Sequence, residues 1–438
     1  LRKLPLATQQ AIHSSKVLGS LTTGIEYSEL KWIEKKFSIV RKLGKLIRIT
    51  IEVIDFIRSP RYYKFKQINR IELNQLVDNP NLRQERLAYL KDVKGLLCAR
   101  RVYHSSQIAA LLKSQRPVRI DLQGFDAFIT SCPLNIKPLN IPVFIQTIHD
   151  IIALEYAPHN ENMLQFSHRL QACLPSRRIF VSESTSIKFK KIIDNEGLNK
   201  SFEREQSEKI LMQPPSLEFP QWITEDQLLK NDMKPVSYLL RKEGKLSPYK
   251  YFLFNSSVEA RKNLLFLVKA YAESKLGTNG IKLCVTGKLK KDSFSKAVKE
   301  IVKKEPGIIL TGYIDESTKL DLYLNSISLL SPSLVEGFGI PALDSACLGM
   351  PAIVSSCDAH NEIQSIDDFQ EYILTINTLN TREWATAIES TWGIYSKRYN
   401  NEEEERSRRI SRYAEKSKIF QDQFKNELIN LINLNQKR

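Results

Sequence analysis

Short apolar runs alternate with stretches of helical period from Tyr251 to Ser355. The order is strand 251–255, helix 262–275, strand 281–286, helix 293–304, strand 308–311, helix 317–324, strand 327–331, helix 341–349 and strand 351–355. Strand and helix in such succession predict a doubly wound α/β domain. A second region of this texture begins near Val118, where residues 126–130, 141–148 and 178–182 are short apolar runs rich in β-branched residues, separated by helix-length segments. They predict strands of another parallel sheet. Ahead of it, residues 1–115 hold few glycines, and stretches such as Leu30–Lys45 repeat apolar positions every three or four residues, which predicts a helix-rich front. Between Gln213 and Tyr249 the periodicity fades and Pro214, Pro215, Pro220, Pro235 and Pro248 accumulate, as in a linker. Thr381–Arg438 is helical and strongly charged, with the run Glu402–Glu405, and its helices are expected to brace the domains. The expected divisions are an N-terminal domain 1–215, a linker 216–249, a second domain 250–395 and C-terminal charged helices 396–438.

Composition sharpens this picture in two places. A chain of 438 residues exceeds the size at which one core keeps growing, so two domains are expected. Its 42% hydrophobic and 26% charged residues are ordinary for a soluble globular protein, and no run approaches the roughly 18 apolar residues of a membrane span. The net charge of +16 is uneven: residues 1–120 carry 24 Lys/Arg against 9 Asp/Glu, and the remainder 41 against 40. A basic front suits an anionic membrane face, an acidic substrate or nucleic acid, and is also compatible with a plain solvated face. No nucleic-acid motif or interleaving of aromatic and basic residues supports the nucleic-acid reading, which is set aside. Six cysteines without CxxC spacing argue against a disulfide framework and a zinc site and fit a reducing cytoplasm. The start at Leu1 lacks the succession of a secretory signal.

In open α/β sheets ligands bind beyond the carboxyl ends of strands, which singles out four places. In Ser331-Pro-Ser-Leu-Val-Glu336-Gly-Phe-Gly-Ile-Pro-Ala-Leu-Asp344 a strand end runs through a glycine turn into a helix. There the amides of Gly337, Phe338 and Gly339 can meet an anion at the helix N-terminus, an interaction of about 0.3–1 kcal/mol or more when buried. Glu336 and Asp344 flank the turn and can accept hydrogen bonds from sugar or ribose hydroxyls; a plainer reading gives Glu336 only the helix dipole to complement. After the strand at Phe252 come Arg261 and Lys262, two cations near a helix start, where the dipole alone disfavours them and an anion would compensate. Thr147-Ile-His149-Asp150 and Val181-Ser182-Glu183 close two strands of the N-terminal half.

Taken in order, these segments resemble the retaining glycosyltransferases of family 4, "glycosyl transferases group 1", over roughly Asp121–Tyr395. Glu336–Asp344 is similar to that family's pair of acids separated by seven residues, Val258-Glu-Ala-Arg-Lys-Asn-Leu264 to its phosphate-binding segment, and Thr147–Asp150 and Thr311-Gly312-Tyr313-Ile-Asp315 to further family segments. The resemblance implies a GT-B fold, two Rossmann-like domains facing across a cleft. It also implies a metal-independent hexosyltransferase, without resident cofactor, that draws on a GDP- or UDP-hexose and retains anomeric configuration. By the same resemblance, Lys262 and Arg261 neutralise the donor diphosphate with the amides of Gly337–Gly339, Glu336 binds donor-sugar hydroxyls and Asp344 the ribose. Gly312 and Tyr313 line the base pocket, and His149 lies beside the transferred sugar. The expected acceptor is a saccharide or lipid-linked saccharide of the cell envelope, with the basic front holding a cytoplasmic enzyme to the inner membrane face. Asp344 stands where the family usually has Glu, Asn255-Ser256 and Ala260 replace its glycine and proline, and its first glycine-rich loop has no clear counterpart, Thr22-Thr-Gly24-Ile-Glu26 being nearest. A truncated start or a diverged acceptor domain would each explain the last departure. A nucleotide-sugar 2-epimerase on the same fold and a non-catalytic saccharide-binding descendant of a transferase are the alternative functions.

Overall fold

The computed structural model describes residues 117–156, 162–195, 208–219, 246–290, 292–397 and 401–433, with shorter pieces between 50 and 112. The expected helices around Leu30–Lys45, the segment Thr22–Glu26 and most of the expected linker lie outside the described residues. The chain packs as two compact units, residues 1–146 with 163–177 and residues 147–162 with 178–438. As expected from the sequence, the class is α/β with parallel sheets.

In the first unit, strands β1 (Tyr62–Tyr63), β4 (Val118–Asp121) and β6 (Ile136–Leu139) form a parallel sheet in the order β1-β4-β6. The strands β2 (Asn69–Ile71) and β3 (Leu96–Cys98) pair antiparallel, and β5 (Ala127–Thr130) runs parallel to β7 (Val143–Ile148). Alternation in β4 is plain, Val118 and Ile120 being buried with Tyr63, Leu134 and Ile136, while Arg119 between them is exposed. Helices α1 (Val102–Leu111) and α2 (Met163–Ala172) are tied together where His168 Nδ1 meets Ala110 O at 3.0 Å.

The second unit opens with the short helix Ile152–Glu155, then β8 (Arg177–Phe180), α3 (Glu183–Asn195) and β9 (Glu208–Ile210), with β8 and β9 parallel. Its centre is a six-stranded parallel sheet of β10 (Tyr251–Phe254), β11 (Lys282–Thr286), β12 (Ile308–Gly312), β13 (Leu329–Ser331), β14 (Ala352–Ser355) and β15 (Ile373–Ile376). The order across the sheet is β12-β11-β10-β13-β14-β15. Between the strands lie α4 (Leu264–Glu273), α5 (Ser293–Lys304), α6 (Glu316–Asn325), α7 (Ile340–Leu348) and α8 (Asp358–Gln364); α9 (Thr381–Tyr395) and α10 (Glu402–Asn433) follow.

Every residue of β10 is buried, as a central parallel strand covered on both faces requires. Tyr251 and Leu253 enter a core with α7 and α10, whereas Phe252 and Phe254 enter a core with α4 and α9. Helix α4 buries Leu264, Leu267, Val268 and Tyr271, one stripe at helical spacing. Aspartates start α5 and α6: Asp292 accepts from Ser295 N and Asp315 from Thr318 N, both at 2.7 Å. At the other end of α6 the fully buried Arg409 of α10 donates to the carbonyls of Tyr323, Leu324 and Ser326 at 2.8–3.3 Å. A cation there both satisfies orphan carbonyls and suits the helix dipole, which is how the C-terminal helix is fixed to its own unit.

Candidate functional site

Strands β10 and β13 are neighbours in the sheet but not in the sequence, because the chain first fills one side (β11, β12) and then the other (β13, β14, β15). At such a reversal the loops beyond the two carboxyl ends part, and a crevice for a ligand results. The loop after β10 leads into a 3-10 turn, Ala260–Lys262; the loop after β13 leads through Glu336–Gly339 to α7. The two are stapled, Leu334 N donating to Arg261 O at 2.8 Å and Arg261 Nη1 to Val335 O at 3.3 Å.

The predicted helix 262–275 is corrected here. Asn263 takes φ +55°, a left-handed conformation that asparagine tolerates, so a 3-10 turn ends at Lys262 and α4 starts only at Leu264. This break leaves Lys262 7% exposed at the crevice, with Nζ 2.5 Å from Glu336 Oε1. Arg261 Nη1 is 3.5 Å from Glu336 Oε2, and Arg261 Nε donates to Glu259 Oε2 at 3.0 Å. Burial opposes ionisation of Glu336 most strongly, but Lys262, His360 and hydrogen bonds from Lys262 and Ser333 outweigh it and hold the carboxyl below its ordinary value. An ammonium has three donors and a carboxylate about four acceptor sites, so the pair retains capacity for phosphate oxygens on one side and hydroxyls on the other.

The turn that follows is built from close approach. A Cβ on Gly337 would lie 2.7 Å from both His149 O and Asp150 Cβ, so only glycine lets that backbone pack here. Gly339, the N-cap of α7, has φ +91°. Among the described residues the amides of Gly337, Phe338 and Gly339 donate to no protein acceptor, although Phe338 and Gly339 are buried. Buried backbone donors are rarely left unpaired, and three in succession at a helix N-terminus point to an anion.

The structure thus brings together Arg261, Lys262, Glu336, Gly337, Phe338 and Gly339, with the exposed His149 beside them through its backbone. Gly312 and Tyr313 stand at the end of β12, where Gly287 N donates to Gly312 O at 2.8 Å and Tyr313 is 60% exposed. Asp344 is placed otherwise. It is 1% exposed, its Oδ1 accepts from Ser216 N at 2.6 Å and Tyr413 Oη at 3.0 Å, and its Oδ2 from Ser216 Oγ at 2.7 Å. Tyr413 Oη also accepts from Leu217 N at 2.6 Å, so this acid knots segment 211–219 to α7 and α10 and has its acceptors engaged inside the protein.

Three residues escaped the sequence reading. Buried His360 lies against Gly339, and its Nδ1 donates to Ser355 O at 2.8 Å. Burial, the largest influence, holds this imidazole below its ordinary pKa against the pull of Glu336 and Ser355. Ser333 supports Glu336, and Ser355 Oγ donates to Ser333 O. Ser355 ends β14, so the strand-end criterion could have flagged it; nothing in the local sequence marks His360.

Residues 239–416 match the family described as Glycosyl transferases group 1. No curated protein matches the chain by sequence. Among solved structures it is similar to the sucrose-phosphate synthase of Thermosynechococcus elongatus, at 15% identity and TM-score 0.44 over 66% of this chain and 68% of that one. HepE of Anabaena in complex with UDP gives 12%, 0.48, 75% and 82%. WaaG, a glycosyltransferase involved in lipopolysaccharide biosynthesis, gives 14%, 0.45, 69% and 89%.

Proposed function

We propose that the chain is a glycosyltransferase that moves a hexose from a nucleotide-diphosphate sugar to a saccharide or lipid-linked saccharide with retention of configuration. The observation that carries this reading is the buried Lys262–Glu336 pair beside three unpaired amides at the chain reversal of the sheet. The match of residues 239–416 to group 1 glycosyl transferases supports it.

In this reading Lys262, Arg261 and the amides of Gly337–Gly339 bind the diphosphate, and Glu336 accepts hydrogen bonds from the donor sugar. The bond between the anomeric carbon and the phosphate oxygen breaks with its electron pair going to the phosphate. An acceptor hydroxyl bonds to that carbon on the same face and yields its proton to the departing phosphate oxygen. The cations and amides stabilise charge as it develops on the leaving group, a preorganised electrostatic effect needing no metal and no resident cofactor. Gly312 and Tyr313 border the base of a GDP- or UDP-hexose, and His149 lies beside the transferred sugar. The basic residues of the first 120 suit an anionic inner membrane face, each worth about 1 kcal/mol near the surface. Asp344 serves here as a knot within the fold.

Glu336→Gln tests the assignment. Loss of transfer with circular dichroism unchanged is the expected result. Unaltered turnover contradicts the site, and conversion of the free donor to another nucleotide sugar without acceptor contradicts the reaction.

A further inference from the structure

One peptide plane in the turn is held from outside it. Gly337 O lies 2.8 Å from Ser182 Oγ and 3.2 Å from Thr185 Oγ1. The two hydroxyls are themselves 2.8 Å apart, at the start of α3. Ser182 is 0% and Thr185 2% exposed, so water does not compete for them. Each hydroxyl has one hydrogen: Ser182 donating to Thr185 leaves Thr185 to donate to Gly337 O, and Thr185 donating to Ser182 leaves Ser182 to donate to it at 2.8 Å, a shorter contact than the 3.2 Å to Ser184 Oγ. Thr185 N donates to Ser182 Oγ at 3.1 Å, which anchors the pair to the helix.

The Gly337 carbonyl and the Phe338 N–H belong to the same rigid unit, and every described peptide bond is trans. In a trans peptide the N–H points opposite to the C=O, so fixing the carbonyl on the α3 side fixes the direction of the Phe338 amide. Two hydroxyls in series on one carbonyl also polarise that peptide and strengthen its N–H as a donor. Glycine at 337 has no side chain of its own to hold the plane and is the residue whose backbone is freest to rotate. Packing against His149 O and Asp150 Cβ limits where this backbone lies, and the two hydroxyls set which way its carbonyl points.

We infer that Ser182 and Thr185 are positioning residues for the anion-binding turn, orienting the Phe338 amide toward the donor diphosphate through the Gly337–Phe338 peptide. This rests on the proposed reading of the turn as a diphosphate site. Neither residue touches the ligand in that arrangement; both act through the peptide.

The probe is inorganic pyrophosphate, with UDP and GDP alongside, titrated by calorimetry against the full chain. Thr185→Val removes one hydroxyl at nearly constant volume, and Ser182→Gly removes the other while sacrificing only a few tenths of a kcal/mol of helix capping. The expected result is a fall in pyrophosphate affinity of about tenfold in the double variant. Thr185→Ser, which keeps the hydroxyl, is expected to bind as the wild type does, a distinction that loss of packing alone would not produce. A folded double variant that binds pyrophosphate within twofold of the wild type overturns the inference and leaves the diphosphate site standing. A wild type that binds neither pyrophosphate nor either nucleotide overturns both.

Discussion

At the scale of single residues, the site depends on two charges that burial would forbid separately. Removing one partner of a buried pair typically costs about 3–5 kcal/mol, because the other charge is left without compensation. Lys262→Ala is therefore expected to lower the unfolding midpoint in urea as well as abolish donor binding, whereas an unshifted midpoint would mean that Glu336 finds another partner. His360 gives a pH signature. Its folded pKa is depressed, so its contribution is present above the unfolded value of about 6.5 and is lost as pH falls through the folded value. Glu336, Lys262 and the backbone of Ser355 surround it, and Glu336, whose folded pKa is itself depressed from the ordinary carboxyl value, stays ionised across this range. Between pH 7.5 and 5.5 the wild type should lose thermal stability more steeply than His360→Gln, and parallel slopes would contradict the assignment. Lys262, Arg261 and Glu336 are legible in the sequence because each lies on the loop or turn that follows a strand. His360 was not, since its role comes from the packing of α8 against Gly339 across 21 residues of chain.

Among the elements, β10 shows why the alternation of strands and helices could be read so far. Its four buried residues divide between two cores, so neither face tolerates a polar side chain. Phe254→Ala should cost about 3–5 kcal/mol by calorimetry, and a cost below about 1 kcal/mol would mean the core collapses around the gap. The strands expected at 251–255, 281–286, 308–311, 327–331 and 351–355 all occur, whereas β4, β6 and β15 are not legible as apolar runs: Pro138 and charged residues interrupt the first two, and β15 is an edge strand of the large sheet. Helix boundaries near the site were less legible because they turn on single conformations, such as the left-handed Asn263. Asp344 shows the same limit: its spacing from Glu336 is visible in the sequence, but its engagement by Ser216 and Tyr413 comes from distant segments.

For the whole molecule, the unequal charge carries its own expectation. If the basic first 120 residues meet an anionic membrane, co-sedimentation with phosphatidylserine vesicles should be strong in low salt and should fall several-fold between 50 and 300 mM NaCl, since charges beyond about 10 Å are screened at 0.1 M. Absence of binding in low salt would remove the membrane from the proposal without touching the site. Most of those residues lie outside the described ones, which is why their charge, read from sequence, says more than their placement.

The most direct measurement is a thermal-shift titration of the intact chain with UDP-, GDP-, ADP- and dTDP-sugars, in the wild type and in Lys262→Ala. Ligand at about 100 times its dissociation constant adds about 2.7 kcal/mol to stability. Stabilisation by one nucleotide family, absent in Lys262→Ala, is the expected result. Stabilisation by none of them, or the same stabilisation in both proteins, would contradict a nucleotide-sugar site built on Lys262 and Glu336.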